Sequence, residues 1–124
     1  MEIKVVDEKT GEVVKLSFQT VYFDYDKYNI RPDARPAIEA NARELNKVAN
    51  LKIIIEGHCD ERGTTEYNLA LGEHRAVAVM QALAGAGVGK DRLKTVSYGK
   101  ERPVDPGHDE AAWAKNRRGV IRES

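Results

Sequence analysis

Apolar and polar residues alternate weakly over Ile3–Val6 and again over Val13–Phe18, on either side of Asp7-Glu8-Lys9-Thr10-Gly11-Glu12. A period of two on both flanks of a glycine-bearing turn predicts a β-hairpin. Val21-Tyr22-Phe23, β-branched and aromatic, predicts a further short strand, which Asp24-Tyr25-Asp26-Lys27-Tyr28-Asn29 breaks. Pro32 and Asp33 then open a helical pattern, with Ile38, Ala42, Leu45 and Ala49 on one face. The run Leu51–Ile55 is long enough only for a buried strand. A second helical pattern begins with Thr65 as N-cap and carries Leu69, Ala76, Met80 and Leu83 as its apolar stripe. Gly85 and Gly87 end it.

Arg92–Tyr98 alternates again and predicts a strand. Gly99–Gly107 reads as a loop with two prolines, Asp109–Lys115 as a short helix anchored by Trp113, and Asn116–Arg122 as a last strand. Arg117 and Arg118 are expected to point one inward and one outward. The order is a hairpin followed by β-α-β-α-β-(α)-β. Strands alternating with helices of this length predict an α/β fold with helices packed on a mixed sheet. Residues 1–19 read as an N-terminal hairpin or variable segment and residues 20–124 as the main domain.

The chain has 124 residues, enough for one domain with a core that needs neither disulfide nor metal. Lysine and arginine together number 20, as do aspartate and glutamate, so the formal net charge is zero. That balance argues against a nucleic-acid binder, whose affinity rests on a positive surplus. A single cysteine rules out an internal disulfide. Met1-Glu2-Ile3-Lys4 does not read as a signal peptide, and no cofactor or metal is expected.

Candidate chemistry concentrates in Glu56-Gly57-His58-Cys59-Asp60-Glu61-Arg62-Gly63, between a predicted strand and a predicted helix, where α/β proteins commonly place ligand sites. On the helix that follows, Asn68, Gly72 and Arg75 fall at i, i+4 and i+7 and share a face. A mid-helix glycine costs about 1 kcal/mol relative to alanine, so Gly72 invites a reason. One is that it leaves room for something to lie against that face. Asp60 above the helix and Arg75 on it would then offer a cation site beside an anion site, which suits a zwitterion. The alternative is an Asp60–Arg75 salt bridge on a solvated helix, and spacing alone leaves both open.

His58 and Cys59 raise the idea of a metal or a nucleophile. Neighbours in an extended segment point apart, however, and no second metal-binding pair supports them. The plainer reading makes Cys59 a small buried residue. Asp24 and Asp26 could be paired hydrolytic carboxylates or turn formers. A small hydrolase using Cys59 or that pair is therefore carried as a rival, as is a pure protein-interaction module.

Five motifs then stand in order: Phe23-Asp24-Tyr25-Asp26-Lys27, Gly57–Gly63, Glu66–Ala76, Ser97–Pro103 and Trp113–Arg118. In these the chain resembles the OmpA C-terminal-like family over about Val21 to Arg122, and within it the lipid-anchored members. The resemblance implies a non-catalytic module that binds the peptide stem of peptidoglycan at a meso-diaminopimelate residue. By motif, Asp60 would take the ligand ammonium and Arg75 its carboxylate. Phe23 and Asp24 would flank the pocket, and Arg62, Tyr67, Asn68 and Leu71 would complete its wall. It also implies a location on the periplasmic face of the outer membrane, with a lipid anchor outside this sequence. A TolB-like periplasmic protein of the Tol system, which serves envelope integrity and cell division, is the implied partner. Porin tails and flagellar stator tails of the same family are the alternative cellular roles.

Overall fold

The computed structural model describes residues 1–124. Strands β1 (Glu2–Val6) and β2 (Val13–Ser17) pair antiparallel as a separate two-stranded sheet, with Gly11 in the turn at φ +74°. The main sheet takes β3 (Val21–Tyr22), β4 (Ile53–His58), β5 (Leu93–Gly99) and β6 (Arg118–Glu123) in the order β3-β6-β4-β5. Strands β4 and β5 run parallel, while β6 is antiparallel to both β3 and β4. The sheet is mixed, as the pattern predicts. The helices are α1 (Arg35–Leu45), entered through a 3-10 turn at Pro32–Ala34, α2 (Thr65–Gly85) and α3 (Glu110–Asn116). No helix is long and apolar enough to cross a membrane.

Helix α2 lies across β4 and β5, and α1 packs against α2 and β2. Ile53, Ile55, Val79, Leu83 and Ile121 are buried between sheet and helices. Val5, Leu16 and Phe18 of the hairpin segment belong to the same core cluster. Apolar burial of this kind is the main stabilising term, roughly 25 cal/mol for each Å² removed from water.

Several boundaries differ from the pattern for physical reasons. Strand β4 runs on through Glu56, Gly57 and His58, because Glu56 and His58 are paired on the sheet face away from the helices. His58 Nε2 lies 3.0 Å from Glu56 Oε1, and Arg122 Nε lies 3.0 Å from Glu56 Oε2. The reactive-looking segment is thus half strand, and the loop proper starts at Cys59. Thr64, not Thr65, caps α2, its hydroxyl accepting from the Tyr67 amide at 3.1 Å. Leu69 is exposed and contributes nothing to the buried stripe of α2.

Gly72 has a different reason from the one its position suggests. No ligand space opens there; the helix lies directly on the sheet. A Cβ on Gly72 would come 2.2 Å from Ser97 Oγ, and one on Gly57 would come 1.7 Å from the Gly72 carbonyl oxygen. The two glycines let α2 touch β4 backbone to backbone, which draws the first turns of α2 down beside the loop at the strand's end. The pair Arg117 and Arg118 also departs from the expected in–out alternation. Both are buried, because Arg117 ends α3 and precedes β6.

Candidate functional site

Beyond β4 the chain turns at Asp60 and passes Arg62 and Gly63 (φ +98°) into α2. Opposite, the segment after β3 carries Tyr25 and Asp26. Between them lies a cavity of about 180 Å³ lined by Tyr25, Asp26, Asp60, Arg62, Gly63, Tyr67, Asn68, Leu71 and Arg75. A larger cavity of about 440 Å³ lies between α1 and α3. Its charged rim includes Arg31 and Asp33, already joined through two hydrogen bonds of 2.9 and 2.7 Å. Charges of both signs converge in the smaller cavity.

Arg75 is the largest fully buried side chain of the protein, 1 % exposed. Its guanidinium donates to three backbone carbonyls: Nε to Lys27 at 2.9 Å, Nη1 to His58 at 3.0 Å and Nη2 to Asp24 at 3.1 Å. No carboxylate pairs with it, since Asp60 pairs elsewhere. A guanidinium has five N–H groups, so two remain for another acceptor. Burial lowers its pKa, yet an arginine stays charged in a protein. A buried cation with no carboxylate in direct contact is costly; here Asp60 and Asp26 favour the charge only from a distance. At the wall of a cavity Arg75 can accept an anionic group.

Asp60 is 5 % exposed. Its Oδ1 accepts from the Arg62 amide at 3.0 Å and from Arg62 Nε at 3.3 Å; its Oδ2 accepts from Arg62 Nη2 at 2.8 Å. Arg117 Nη1 stands 3.7 Å from the same oxygen. Burial works against the charged form, but the hydrogen bonds and charge of Arg62, with Arg117, outweigh it and hold the carboxyl below its ordinary range. A carboxylate offers about four lone-pair positions; three are occupied, and one remains for an ammonium.

Arg62 is itself tightly held. Its guanidinium carbon lies 3.9 Å from the Tyr25 ring centroid and 4.0 Å from that of Trp113, so aromatic rings cover it on two sides. The indole N–H of Trp113 donates to Glu61 Oε2 at 2.7 Å, and His108 Nδ1 lies 2.7 Å from Glu61 Oε1. Asn68 stitches the loop to the helix, its amide donating to the carbonyls of Arg62 at 2.9 Å and Thr64 at 3.0 Å. Tyr67 donates its hydroxyl to Asp26.

Six of the eight residues expected at the site, Asp60, Arg62, Tyr67, Asn68, Leu71 and Arg75, line this one cavity. Phe23 and Asp24 do not line it; they stand behind it. Phe23 is buried, its ring 5.4 Å from the Arg75 guanidinium carbon. Asp24 contributes its carbonyl to Arg75 while its carboxylate turns outward to Arg31 at 3.4 Å. The solvated Asp60–Arg75 salt bridge does not form, because Arg75 is buried among carbonyls and Asp60 is taken by Arg62. Tyr25 and Asp26 also line the cavity, and Trp113 and Arg117 support it through Arg62 and Asp60; the sequence expects Asp26 only as a paired carboxylate or turn former, Trp113 only as a helix anchor and Arg117 only as a strand residue. Tyr25 and Asp26 had a signal in their nearness to Asp24.

Cys59 is buried, its Sγ donating to the Asn68 carbonyl at 3.3 Å, and burial pushes the thiol up to about 11. A thiol of that kind is a poor nucleophile. Asp24 and Asp26 turn to different partners, Arg31 and Tyr67. No group of three or more His, Cys, Asp or Glu side chains is placed to hold a metal.

Residues 22–117 match the OmpA family. The chain belongs to this family. Among its relatives are the peptidoglycan-associated lipoproteins of Haemophilus influenzae and Pseudomonas aeruginosa. The first is 52% identical over 104 residues, 84% of this chain and 68% of the relative. The second is 50% identical over 114 residues, 92% of this chain and 67% of the relative. The fold is similar to the crystal structure of the peptidoglycan-associated lipoprotein from Burkholderia pseudomallei. There the TM-score is 0.81 at 46% identity, covering 86% of this chain and 90% of that one. It is also similar to the C-terminal domain of Helicobacter pylori MotB, with a TM-score of 0.80 at 26% identity, covering 87% of this chain and 85% of that one.

Proposed function

We propose that residues 20–124 bind the stem peptide of peptidoglycan non-covalently, holding the free end of a meso-diaminopimelate side chain in the cavity between Asp60 and Arg75. The observation that carries this reading is the state of Arg75: a buried guanidinium with no carboxylate partner, two N–H groups still available, on the wall of a cavity shared with an ionised Asp60. A ligand carboxylate completes Arg75 with charge-assisted hydrogen bonds. The adjacent ammonium takes the open lone pair of Asp60. A ligand carrying one charge leaves one half of the site without its counterpart, so the site selects a zwitterion.

The names of the relatives support association with peptidoglycan and an envelope role. In this reading the protein ties the outer membrane to the cell wall from the periplasmic side. A TolB-like periplasmic protein is its partner in the Tol system. A hydrolytic role for Cys59 is disfavoured by its raised pKa and by the hydrogen bond that occupies it.

The test is retention on purified sacculi. Wild type sediments with the sacculi, whereas Asp60→Ala and Arg75→Ala, checked for folding by circular dichroism, stay in solution. Retention of a folded Asp60→Ala at the wild-type level would contradict the site assignment.

A further inference from the structure

Arg117 stands between two carboxylates and favours the outer one. It closes α3 and is buried. Its Nε donates to the Phe23 carbonyl at 2.9 Å. Its fork faces Glu110, seven residues back on the same helix face: Nη2 donates to Oε1 at 2.8 Å and Nη1 to Oε2 at 3.4 Å. Nη1 also stands 3.7 Å from Asp60 Oδ2, too far for a hydrogen bond. Glu110 is exposed, and neither it nor Arg117 lines the cavity shared by Asp60 and Arg75. The Glu110 carboxyl is held below its ordinary range, chiefly by the hydrogen bond from Arg117.

This division bears on Asp60. Arg62 fills both positions on Oδ1, with its amide and its Nε, and one position on Oδ2. The open position is therefore on Oδ2, the oxygen that Arg117 faces. A shift of the guanidinium by about 1 Å would bring Nη1 within hydrogen-bond range and close it. Asp60 and Arg117 are both buried, where such a bond is strong once formed. Glu110 offers the fork a bidentate partner instead. It also sets a negative charge against Arg117, a cation that would otherwise oppose an ammonium arriving at Oδ2.

We propose that Glu110 is a positioning residue: by holding the Arg117 fork, it keeps the open position of Asp60 available to the ligand ammonium. This inference rests on the diaminopimelate reading of the site. Neither Glu110 nor Arg117 needs to touch the ligand, since both act through Asp60. The carboxylate half of the site is independent of them, because Arg75 takes its hydrogen bonds from Lys27, His58 and Asp24. Glu110 thus governs how well the site reads the ammonium, and not whether it binds the carboxylate.

The test is calorimetric titration of the full chain with two stem tripeptides. One ends in meso-diaminopimelate, the other in 2-aminopimelate, which keeps the side-chain carboxylate and lacks the ammonium. Glu110→Ala, checked for folding by circular dichroism, is expected to bind the first about tenfold more weakly than wild type does and the second unchanged. Glu110→Gln, which keeps the length and one acceptor without the charge, should fall between. In an Arg117→Gln background no guanidinium can close on Asp60, so Glu110→Ala should change neither affinity. Where that background does not fold, salt decides: the loss in Glu110→Ala should persist at about 0.5 M salt, which screens a long-range effect of an exposed charge. Wild-type affinity of Glu110→Ala for the diaminopimelate peptide overturns the role of Glu110 alone. So does an equal loss on both peptides, a loss that remains in the Arg117→Gln background, or one that vanishes in salt. If wild type binds neither peptide, or binds the two equally, the diaminopimelate reading falls and this role with it.

Discussion

Asp60 and Arg75 line one cavity yet form no ion pair with each other. Asp60 is neutralised by Arg62, and Arg75 is balanced by three carbonyl dipoles. An aspartate and an arginine free to collapse together would close the site. Separate support keeps both poised, which is the preorganisation a binding site needs to limit the ordering cost of association.

Beyond the ligand proposed for it, Arg75 has a structural role. It ties the backbone of Asp24 and Lys27 to the end of β4 at His58. Arg75→Lys keeps the charge but loses the fork, leaving at least one buried carbonyl unpaired. It is expected to destabilise the fold by about 3 kcal/mol, measured as a lower urea midpoint at unchanged slope.

The Gly57–Gly72 contact predicts an asymmetric cost. Gly57→Ala drives a Cβ onto the Gly72 carbonyl, which cannot move without lifting α2; a loss above about 3 kcal/mol is expected. Gly72→Ala meets chiefly the Ser97 hydroxyl. The double variant Gly72→Ala, Ser97→Ala should recover part of its stability, whereas Gly57→Ala, Ser97→Ala should recover none. Thermal unfolding of the four variants decides it.

Trp113 acts on the site through Arg62. Removing one ring from the clamp costs about 1 kcal/mol of cation–π attraction and frees Arg62 to leave Asp60. Trp113→Ala should therefore weaken binding of the diaminopimelate peptide several-fold. Trp113→Phe, which keeps a ring but not the N–H to Glu61, should fall between it and wild type.

Acid sensitivity has a defined sign. The Asp60 carboxyl is depressed in the folded protein, so the unfolded chain binds more protons on the acid side. Its stabilisation is complete above the unfolded value of about 3.9 and is lost as pH falls from there through the lower folded value. Asp60→Asn should be less stable than wild type at pH 7 and show a shallower drop in melting temperature below pH 4. Parallel curves for the two proteins would contradict this origin of the acid loss.

Much of the architecture is legible along the chain because strands and helices alternate with clean apolar periods. The site is legible in part. Asp60, Asn68 and Arg75 stand at spacings that a helix turns into proximity. The burial of Arg75 could not be read, because it depends on carbonyls of Asp24 and Lys27, about 50 positions away. The same holds for the Arg62 clamp: Tyr25 and Trp113 meet only when the segment after β3 and helix α3 fold against the loop from opposite sides. Gly72 shows the converse limit. A costly glycine signals close approach, but not whether a ligand or the protein's own sheet is what approaches.

The central claim is that Asp60 and Arg75 together select a zwitterionic diaminopimelate. Its most direct test is titration of a stem tripeptide ending in meso-diaminopimelate against the same peptide ending in lysine, which keeps an ammonium but lacks the second carboxylate. The account predicts that the diaminopimelate peptide binds wild type and that the lysine peptide binds at least about tenfold more weakly, since Arg75 is left without its partner. It also predicts that Arg75→Lys erases most of that difference. Equal affinity of the two peptides for the wild-type protein would contradict the account.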